Sequence, residues 1–429
     1  MDRTRVEADW PPLTLAEVRE LLAEFPDCGE ATEILSVSPR PFSAASVVAT
    51  SRGRVFIKRH HRTVRDREGL LEEHRFMEHL RANGVPVPRV LANYSGETTI
   101  ERGEWTFEVH EAPAGVDIYE DVLSWMPFLS STHARSAGEA LARLHLASRN
   151  FDVPLRKPQP LVASFTIFAA DKPGAAMEGY LAVRPALTGN RMVREGCKIA
   201  LDLLAPFYAE LESLLPVLKP LWTHNDLHAS NLLWSDASGE AQAVAIIDFG
   251  LADRTNAVHD LAHTIERNIV EWLELREGHE DTEDVLVHFD HLLALLDGYE
   301  SVSPLTEQEA AALAPMTALC HAEFALTEAD YFLGVLHSEK NARLCSEGYL
   351  VGHARWYRGA GGRKLLDAIR RWAASASTRL KEIPNDELDG DNKLPGRELD
   401  GRCGCRHHHS GHLAHHAPQT DLLAGGVDF

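Results

Sequence analysis

The chain has 429 residues, of which 44% are hydrophobic and 25% are charged, as in a folded globular protein rather than a disordered one. Its 43 Lys and Arg residues stand against 64 Asp and Glu residues, so the formal net charge is −21 at pH 7. This balance argues against a general nucleic-acid binder, which needs a basic face. No apolar run reaches the roughly 18 residues of a membrane span, and the polar N-terminus does not resemble a secretory signal. Six cysteines, four of them scattered singly, favour a reducing cytoplasm over a disulfide scaffold.

The first quarter of the chain predicts a helix followed by a small, strand-rich lobe. A capping box at 14–17 begins a helix with an apolar stripe, which we assign to an N-terminal segment, residues 1–30. Short alternating or β-branched runs then predict three strands, and a hairpin is predicted at 97–110. Between the third strand and the hairpin, apolar residues at helical spacing over 70–80 predict one helix, which ends at an Asn-Gly pair. Residues 31–112 therefore form the first predicted lobe.

The rest of the chain is mainly helical up to about residue 380. Apolar stripes recur at helical spacing, and a second capping box at 306–309 begins another helix. A short apolar strand at 244–247 interrupts this helical part. From about residue 381, Pro, Gly, Asp and His dominate and the apolar periodicity ends, which predicts a mostly disordered tail at 381–429.

The residues with the clearest chemical signature lie on either side of that short strand. Residues 224–233 read His-Asn-Asp-Leu-His-Ala-Ser-Asn-Leu-Leu, and Ile-Ile-Asp-Phe-Gly follows at 246–250. Phosphoryl transfer from ATP needs the triphosphate charge neutralised, usually by Mg²⁺, which prefers oxygen ligands. The amide oxygen of Asn231 and the carboxylate of Asp248 supply such ligands, and Asp226 is placed to orient an acceptor hydroxyl and accept its proton.

This ordered set of motifs resembles the aminoglycoside phosphotransferase and choline kinase family of small-molecule kinases, over roughly residues 30–375. The resemblance implies an α+β, bilobal, protein-kinase-like fold, with an N-terminal antiparallel β lobe carrying one helix and a larger, mainly helical C-terminal lobe. Residues 31–112 would bind the nucleotide, and residues 113–380 would carry the catalytic loop and the acceptor pocket. The implied cofactors are ATP and Mg²⁺. One departure lies in the catalytic loop, where Asn225 stands at a position that is commonly Gly in relatives.

The same resemblance implies the residues that hold the nucleotide. Lys58, at the end of a Val-Phe-Ile-Lys strand, matches the lysine that binds the α- and β-phosphates. Glu73 on the following helix is the predicted ion-pair partner of Lys58, and Glu72 is the alternative one residue away. Glu111 and Ala112 fall at the hinge, where backbone groups would meet adenine.

Two further positions follow from the family pattern. The phosphate-covering loop falls at 38–46 and has no glycine, although glycines normally let backbone N–H groups approach phosphate. Small residues, among them Ser43, would take over that contact. Asp260, in Asp-Leu-Ala, matches the aspartate that buttresses the catalytic loop, whereas His224 and His228 are interpreted as structural residues that hold the loop.

The predicted function is transfer of the ATP γ-phosphate to a hydroxyl of a small molecule: an aminoglycoside, an amino alcohol, homoserine or a sugar-like acceptor. The acidic charge slightly favours a cationic acceptor, and no nucleic-acid or membrane partner is expected. The alternative is a catalytically silent nucleotide sensor on the same fold, which only the glycine-free loop supports. Phosphorylation of proteins is disfavoured because Asp260 follows Asp248 by only twelve residues, leaving little room for a peptide-docking segment. The choice between ATP and GTP and the oligomeric state stay open.

Some remaining features have both a functional and a structural interpretation. Glu323 and Asp330 lie seven residues apart on one predicted helix face and could line an acceptor pocket. The acidic residues at 271–284 are interpreted mainly as a solvated surface. In the tail, Cys403, Cys405 and the neighbouring histidines lack the spacing of a strong zinc signature, so adventitious metal binding is favoured over a dedicated site.

Overall fold

The computed structural model describes residues 9–38, 42–122, 124–276, 278–280 and 284–382. Within these ranges the chain has the predicted α+β organisation: an antiparallel sheet with two helices is followed by a mainly helical part. The sheet ends at Glu111 and the last helix runs to Glu382. The predicted disordered tail with its Cys and His residues lies almost entirely outside the described residues.

The N-terminal lobe is a five-stranded antiparallel sheet with the strand order β1-β2-β3-β5-β4. Helix α1 precedes the sheet, and helix α2 lies between strands β3 and β4 in the chain. The elements are α1 (Leu15–Leu22), β1 (Ala31–Val37), β2 (Ala44–Thr50), β3 (Gly53–His61), α2 (Arg67–Ala82), β4 (Thr99–Arg102) and β5 (Trp105–Glu111).

The two faces of this sheet differ in character because side chains alternate along a strand. Ile57 on β3 lies opposite Val109 on β5, and both belong to an apolar core shared with α1. In the neighbouring pair Lys58 lies opposite Glu108, and both side chains point to the other face. That face meets α2, so the lobe presents its charged residues toward the cleft side of the sheet.

The C-terminal lobe builds one continuous apolar core from its helices. Two short antiparallel strand pairs, β6 with β9 and β7 with β8, carry the motif-bearing loops. Its helices are α3 (Ser131–Ser148), α4 (Pro173–Ala182), α5 (Pro185–Thr188), α6 (Arg191–Leu211), α7 (Ala257–Ile269), α8 (Phe289–Glu300), α9 (Glu307–Leu319), α10 (His321–Gly334), α11 (Glu339–Arg343), α12 (Ala354–Arg358) and α13 (Ala360–Glu382), and its strands are β6 (Pro220–Thr223), β7 (Leu232–Trp234), β8 (Ala243–Ile246) and β9 (Asp253–Asn256).

This lobe contains one very close helix contact and one irregular helical segment. Helices α3 and α8 approach so closely that a Cβ on Gly138 would lie 2.1 Å from the carbonyl oxygen of Leu295. Between α11 and α12 the chain forms a π-helical segment, Leu344–His353, a geometry often found near functional sites. Each helix in the described part of the chain is too short or too polar to cross a membrane.

Candidate active site

The catalytic loop predicted at 224–231 connects β6 to β7, and Asp260 at the start of α7 holds its first turn. The two carboxylate oxygens of Asp260 accept the backbone N–H groups of His224 at 2.9 Å and Asn225 at 2.8 Å. His145 on α3 lies 3.0 Å from the same carboxylate. Burial opposes ionisation of Asp260, but the hydrogen bond and charge of His145 outweigh it, so the pKa of Asp260 is lowered. The predicted buttressing role of Asp260 is confirmed.

Asn225 fills a backbone conformation that explains why glycine is common at this position. Its φ is +61°, in the left-handed region where Asn is tolerated better than most residues. Its buried side-chain oxygen accepts hydrogen bonds from Thr223 at 2.8 Å and Thr255 at 3.2 Å. Its amide group donates to the carbonyls of Ala163 at 3.1 Å and Leu251 at 3.3 Å. Asn225 therefore joins the loop to three other segments, a stabilisation that glycine would not provide.

His224 ties the catalytic loop to the strand that precedes Asp248. Its ring nitrogen Nε2 lies 2.9 Å from the carbonyl oxygen of Ile247, and Nδ1 lies 3.3 Å from the backbone N–H of Asp226. A neutral ring with its proton on Nε2 satisfies both contacts, since Nε2 donates and Nδ1 accepts. Burial lowers the pKa of His224 and favours that neutral form. The structural role predicted for His224 is confirmed by these contacts.

Asp226 and Asn231 meet within the loop. The Asn231 amide group donates to the backbone carbonyl of Asp226 at 2.8 Å and lies 3.4 Å from its carboxylate. The side chain of Asp226 is 15% exposed, and His228 lies 3.6 Å from its carboxylate. Because the Asn231 nitrogen faces Asp226, the amide oxygen is left for another partner.

Asp248 forms an ion pair with Lys58, which brings the two lobes together at 2.8 Å. The side chain of Lys58 is 13% exposed and that of Asp248 is 37% exposed. Burial alone would favour the neutral form of both groups, but the attraction between the two charges is stronger. The pKa of Lys58 is therefore raised and the pKa of Asp248 is lowered. The two residues predicted to face phosphate and metal therefore lie side by side, although 190 positions separate them in sequence.

The predicted ion pair between Lys58 and Glu73 does not form in this structure. Glu73 instead accepts hydrogen bonds from Arg65 at 2.8 Å and Arg156 at 2.9 Å. The alternative partner, Glu72, also pairs with Arg156, at 3.3 Å. Two buried guanidinium groups thus neutralise the helix carboxylates, and Lys58 turns to Asp248. A nucleotide-binding role for Glu73 stays a prediction.

The remaining predicted nucleotide residues lie beside strand β2 and at the end of strand β5. Ser43 is half-buried beside β2, and residues 39–41 of the predicted phosphate loop lie outside the described residues. The carboxylate of Glu111 pairs with Arg89 at 2.7 Å, and the N–H of Ala112 donates to the carbonyl of Arg54 at 3.3 Å. Contacts of Ser43, Glu111 and Ala112 with a nucleotide stay predictions.

Arg267 is one residue of this site that sequence reasoning missed. Its Nε atom lies 3.6 Å from the Asp226 carboxylate, and its guanidinium group lies 3.9 Å from the ring centres of both Trp125 and Phe324. It is 2% exposed, and its Nε and Nη2 atoms have no hydrogen-bond partner among the described residues. One signal was available: Arg267 follows Asp260 by seven residues, two turns along the helix that supports the catalytic loop.

A second charged group, Glu328 on α10, belongs to the same region. Burial and the negative charge of Asp226 raise the pKa of Glu328, and the positive charge of Arg267 lowers it. The net result is a pKa of about 7. The Cys345 thiol of the π-helical segment lies 3.8 Å from the Glu328 carboxylate. The region behind Asp226 therefore combines a buried cation with a carboxyl group that ionises near neutral pH.

The acids that the helix pattern highlighted, Glu323 and Asp330, are occupied elsewhere. Glu323 accepts the backbone N–H groups of Thr166 and Ile167, the latter at 2.6 Å. Asp330 lies 3.8 Å from Arg184. Because helix α10 is buried around much of its circumference, spacing alone could not identify which of its acids interacts electrostatically with Arg267 and Asp226.

Comparison with known proteins agrees with this geometry. A model of the phosphotransferase enzyme family matches residues 41–305. A homoserine kinase from Afipia carboxidovorans is 28% identical over 260 residues, which are 60% of this chain and 67% of that protein. The structure of a microcompartment-associated aminopropanol kinase matches with a TM-score of 0.53 and 18% identity, covering 81% of this chain and 99% of that chain. An amicoumacin kinase solved in complex with AMP-PNP matches with a TM-score of 0.51 and 14% identity, covering 79% and 92%. The predicted bilobal, kinase-like fold is thereby confirmed.

Proposed function

We propose that this protein transfers the γ-phosphate of ATP to a small hydroxy amino acid or amino alcohol. As a member of the phosphotransferase enzyme family, it is a small-molecule kinase with an alcohol group as acceptor. The observation that carries the proposal is the pair of opposite charges, Arg267 and Glu328, buried behind Asp226. The homoserine kinase relative and the aminopropanol kinase neighbour both act on acceptors of this size and chemistry.

At the reacting end, Asp226 orients the acceptor hydroxyl and accepts its proton as the oxygen attacks the γ-phosphate. A loop held by Asp260 and Asn225 keeps Asp226 in place, so little reorganisation accompanies the reaction. Lys58 neutralises charge on the non-transferred phosphates. To reach them, its ammonium group gives up part of its contact with Asp248.

The oxygen donors of Asn231 and Asp248 fit a hard divalent cation. Asn231 directs its amide nitrogen to Asp226 and so leaves its oxygen available. The hydrogen bonds of Asp248 with Lys58 and with the N–H of Gly250 both use the same carboxylate oxygen, and its side chain is 37% exposed. Bound Mg²⁺ would neutralise developing charge on the triphosphate, with Asn231 and Asp248 as its protein ligands.

At the acceptor end, the buried charges select for a complementary ligand. The carboxylates of Asp226 and Glu266 lie 3.6 Å and 3.8 Å from the Arg267 Nε atom, but Nε and Nη2 have no hydrogen-bond acceptor among the described residues. Buried donors without acceptors are costly, and a ligand carboxylate within hydrogen-bond distance would supply the acceptors. Ionised Glu328 would hold an ammonium group. A zwitterionic acceptor such as homoserine satisfies both groups, whereas a simple amino alcohol satisfies only Glu328.

An ATP-consumption screen with Mg²⁺ tests the proposal across hydroxy amino acids, amino alcohols, amino sugars and aminoglycosides. We expect turnover with a hydroxy amino acid or an amino alcohol, and loss of that turnover in Asp226→Asn. Asp202→Asn, at an exposed position on α6, is the matched control and should retain activity. Turnover only with aminoglycosides would refute the proposed acceptor class. Binding of Mg·ATP without turnover on any acceptor would instead favour the nucleotide-sensor alternative.

Arg267→Met separates acceptor binding from chemistry. If Arg267 binds the acceptor carboxylate, the variant should raise KM for a hydroxy amino acid at least tenfold and leave KM for an amino alcohol nearly unchanged. An equal fall in kcat for both acceptors would instead assign Arg267 to the transferred phosphate or to Asp226.

A further inference from the structure

A second cluster of chemically active side chains lies in the N-terminal lobe, away from the catalytic loop. We define it as the histidine–glutamate cluster: His60 on β3, His74 on α2, and Glu108 and His110 on β5. All four side chains are buried. Nothing in the proposed phosphotransfer reaction requires three histidines here.

The cluster converges on one carboxylate. The Nε2 atoms of His74 and His110 both lie 2.8 Å from one oxygen of Glu108, and Nε2 of His60 lies 2.9 Å from the other. Single ligand atoms of His74, Glu108 and His110 all lie within 4.8 Å of one another. Two imidazoles and one carboxylate thus converge on a common position, and His60 approaches the same carboxylate from its other oxygen.

We propose that the histidine–glutamate cluster is a zinc site that fastens α2 to the sheet. Three imidazole nitrogens with one carboxylate oxygen form a donor set typical of a four-coordinate zinc ion, whereas Mg²⁺ and Ca²⁺ prefer all-oxygen sites. Tetrahedral zinc with bonds of about 2.0–2.1 Å separates its ligand atoms by about 3.3 Å, so the contacts of His74 and His110 with their shared oxygen need to open by about 0.5 Å. His60, which contacts the other oxygen of Glu108, would turn toward that position as the fourth ligand.

The proton positions are compatible with metal binding. In the metal-free cluster the Nε2 atoms donate to Glu108. An imidazole that turns its Nε2 lone pair to zinc carries its proton on Nδ1 instead. His74 has an acceptor ready for that proton, because its Nδ1 lies 2.8 Å from the hydroxyl oxygen of Thr98. Such an outer hydrogen bond orients the ligand histidine in most zinc sites.

The position of the cluster suggests what zinc would do. His60 lies two residues after Lys58 on β3, and Glu108 lies directly opposite Lys58 on β5. His74 follows Glu73 on α2. A metal bonded to both strands and the helix would hold the Lys58 strand against α2, the connection that the predicted Lys58–Glu73 ion pair would otherwise have supplied.

Zinc binding to the full chain is the direct test. The metal-binding side chains of the tail are first replaced, Cys403→Ser and Cys405→Ser together with His→Ala at 407–409, 412, 415 and 416, so that tail sites do not obscure the measurement. In this background we expect a zinc equivalent that raises the melting temperature and is lost in His74→Gln and in His110→Gln. His79→Gln, on the same helix but outside the cluster, is the matched control and should keep it.

Crystals of the zinc-loaded chain provide a test that does not depend on any variant folding. Anomalous scattering at the zinc edge should show a peak between His60, His74, Glu108 and His110. Absence of that peak, or zinc binding that is unchanged in both cluster variants, would overturn the proposal. The cluster would then be a hydrogen-bond network in which Glu108 accepts three imidazole N–H groups.

Discussion

Replacement of Asn225 tests how the catalytic loop is held, and the structure supplies the expected magnitude. The side chain makes four hydrogen bonds inside the protein, two of them at 3.2–3.3 Å. At roughly 0.5–1.5 kcal/mol for each net bond, and less for the longer ones, Asn225→Gly should lower the free energy of unfolding by about 2–4 kcal/mol. Asn225→Ala should lower it further, by about 1–2 kcal/mol, because φ at this position is +61° and a Cβ is disfavoured there.

The assay is urea unfolding of wild type, Asn225→Gly and Asn225→Ala, with kcat measured in parallel. We expect the order of stability wild type, glycine, alanine, and a lower kcat in both variants because Asp226 is the next residue. If alanine were as stable as glycine, the argument from backbone conformation would be refuted. If both matched wild type, the hydrogen bonds of Asn225 would contribute nothing net.

Three other predictions follow from burial and packing. Since the pKa of Glu328 is raised to about 7, its carboxylate forms as pH rises through 7, so KM for an ammonium-bearing acceptor should fall over that range and Glu328→Gln should abolish the dependence. The pKa of Asp260 is lowered in the folded protein, so its carboxylate stabilises the fold above the ordinary pKa of 3.8, and this stabilisation is lost as the pH falls below that value. In unfolding measurements, Asp260→Asn should therefore be less stable than wild type at neutral pH, and its stability should depend less on acid pH. Gly138→Ala should lower the free energy of unfolding in urea by more than about 2 kcal/mol, because its Cβ would meet the Leu295 carbonyl. Gly179→Ala, which has open space around it, should be neutral or stabilising, and equal effects of the two variants would contradict the packing argument.

The ion pairs around α2 show where sequence reasoning was insufficient. The family pattern identified Lys58 and a helix glutamate, but their pairing depends on which other charges reach the same space. Arg65 and Arg156 come from two separate segments, and Arg156 is 83 positions away from Glu73. No periodicity or motif indicates that two arginines would neutralise that carboxylate, so the partner of Lys58 could not be predicted.

Arg267, Glu328 and the histidine–glutamate cluster show the same limit. Each residue is unremarkable in its own segment, and its chemistry depends on neighbours that are distant in sequence. His60, for example, meets Glu108 across 48 positions. Their burial determines what they can bind, and burial is a property of the assembled lobes.

The sequence by itself determined the fold class, the family and the order of the catalytic motifs. These depend on local patterns: residue spacing within one loop, an aspartate directly after a strand, and caps at helix ends. The tertiary structure decided which charges pair, which acid of α10 lies within electrostatic reach of Arg267 and Asp226, and which histidines converge. Electrostatic energies depend on distance and desolvation, and both are set only when separate segments pack together.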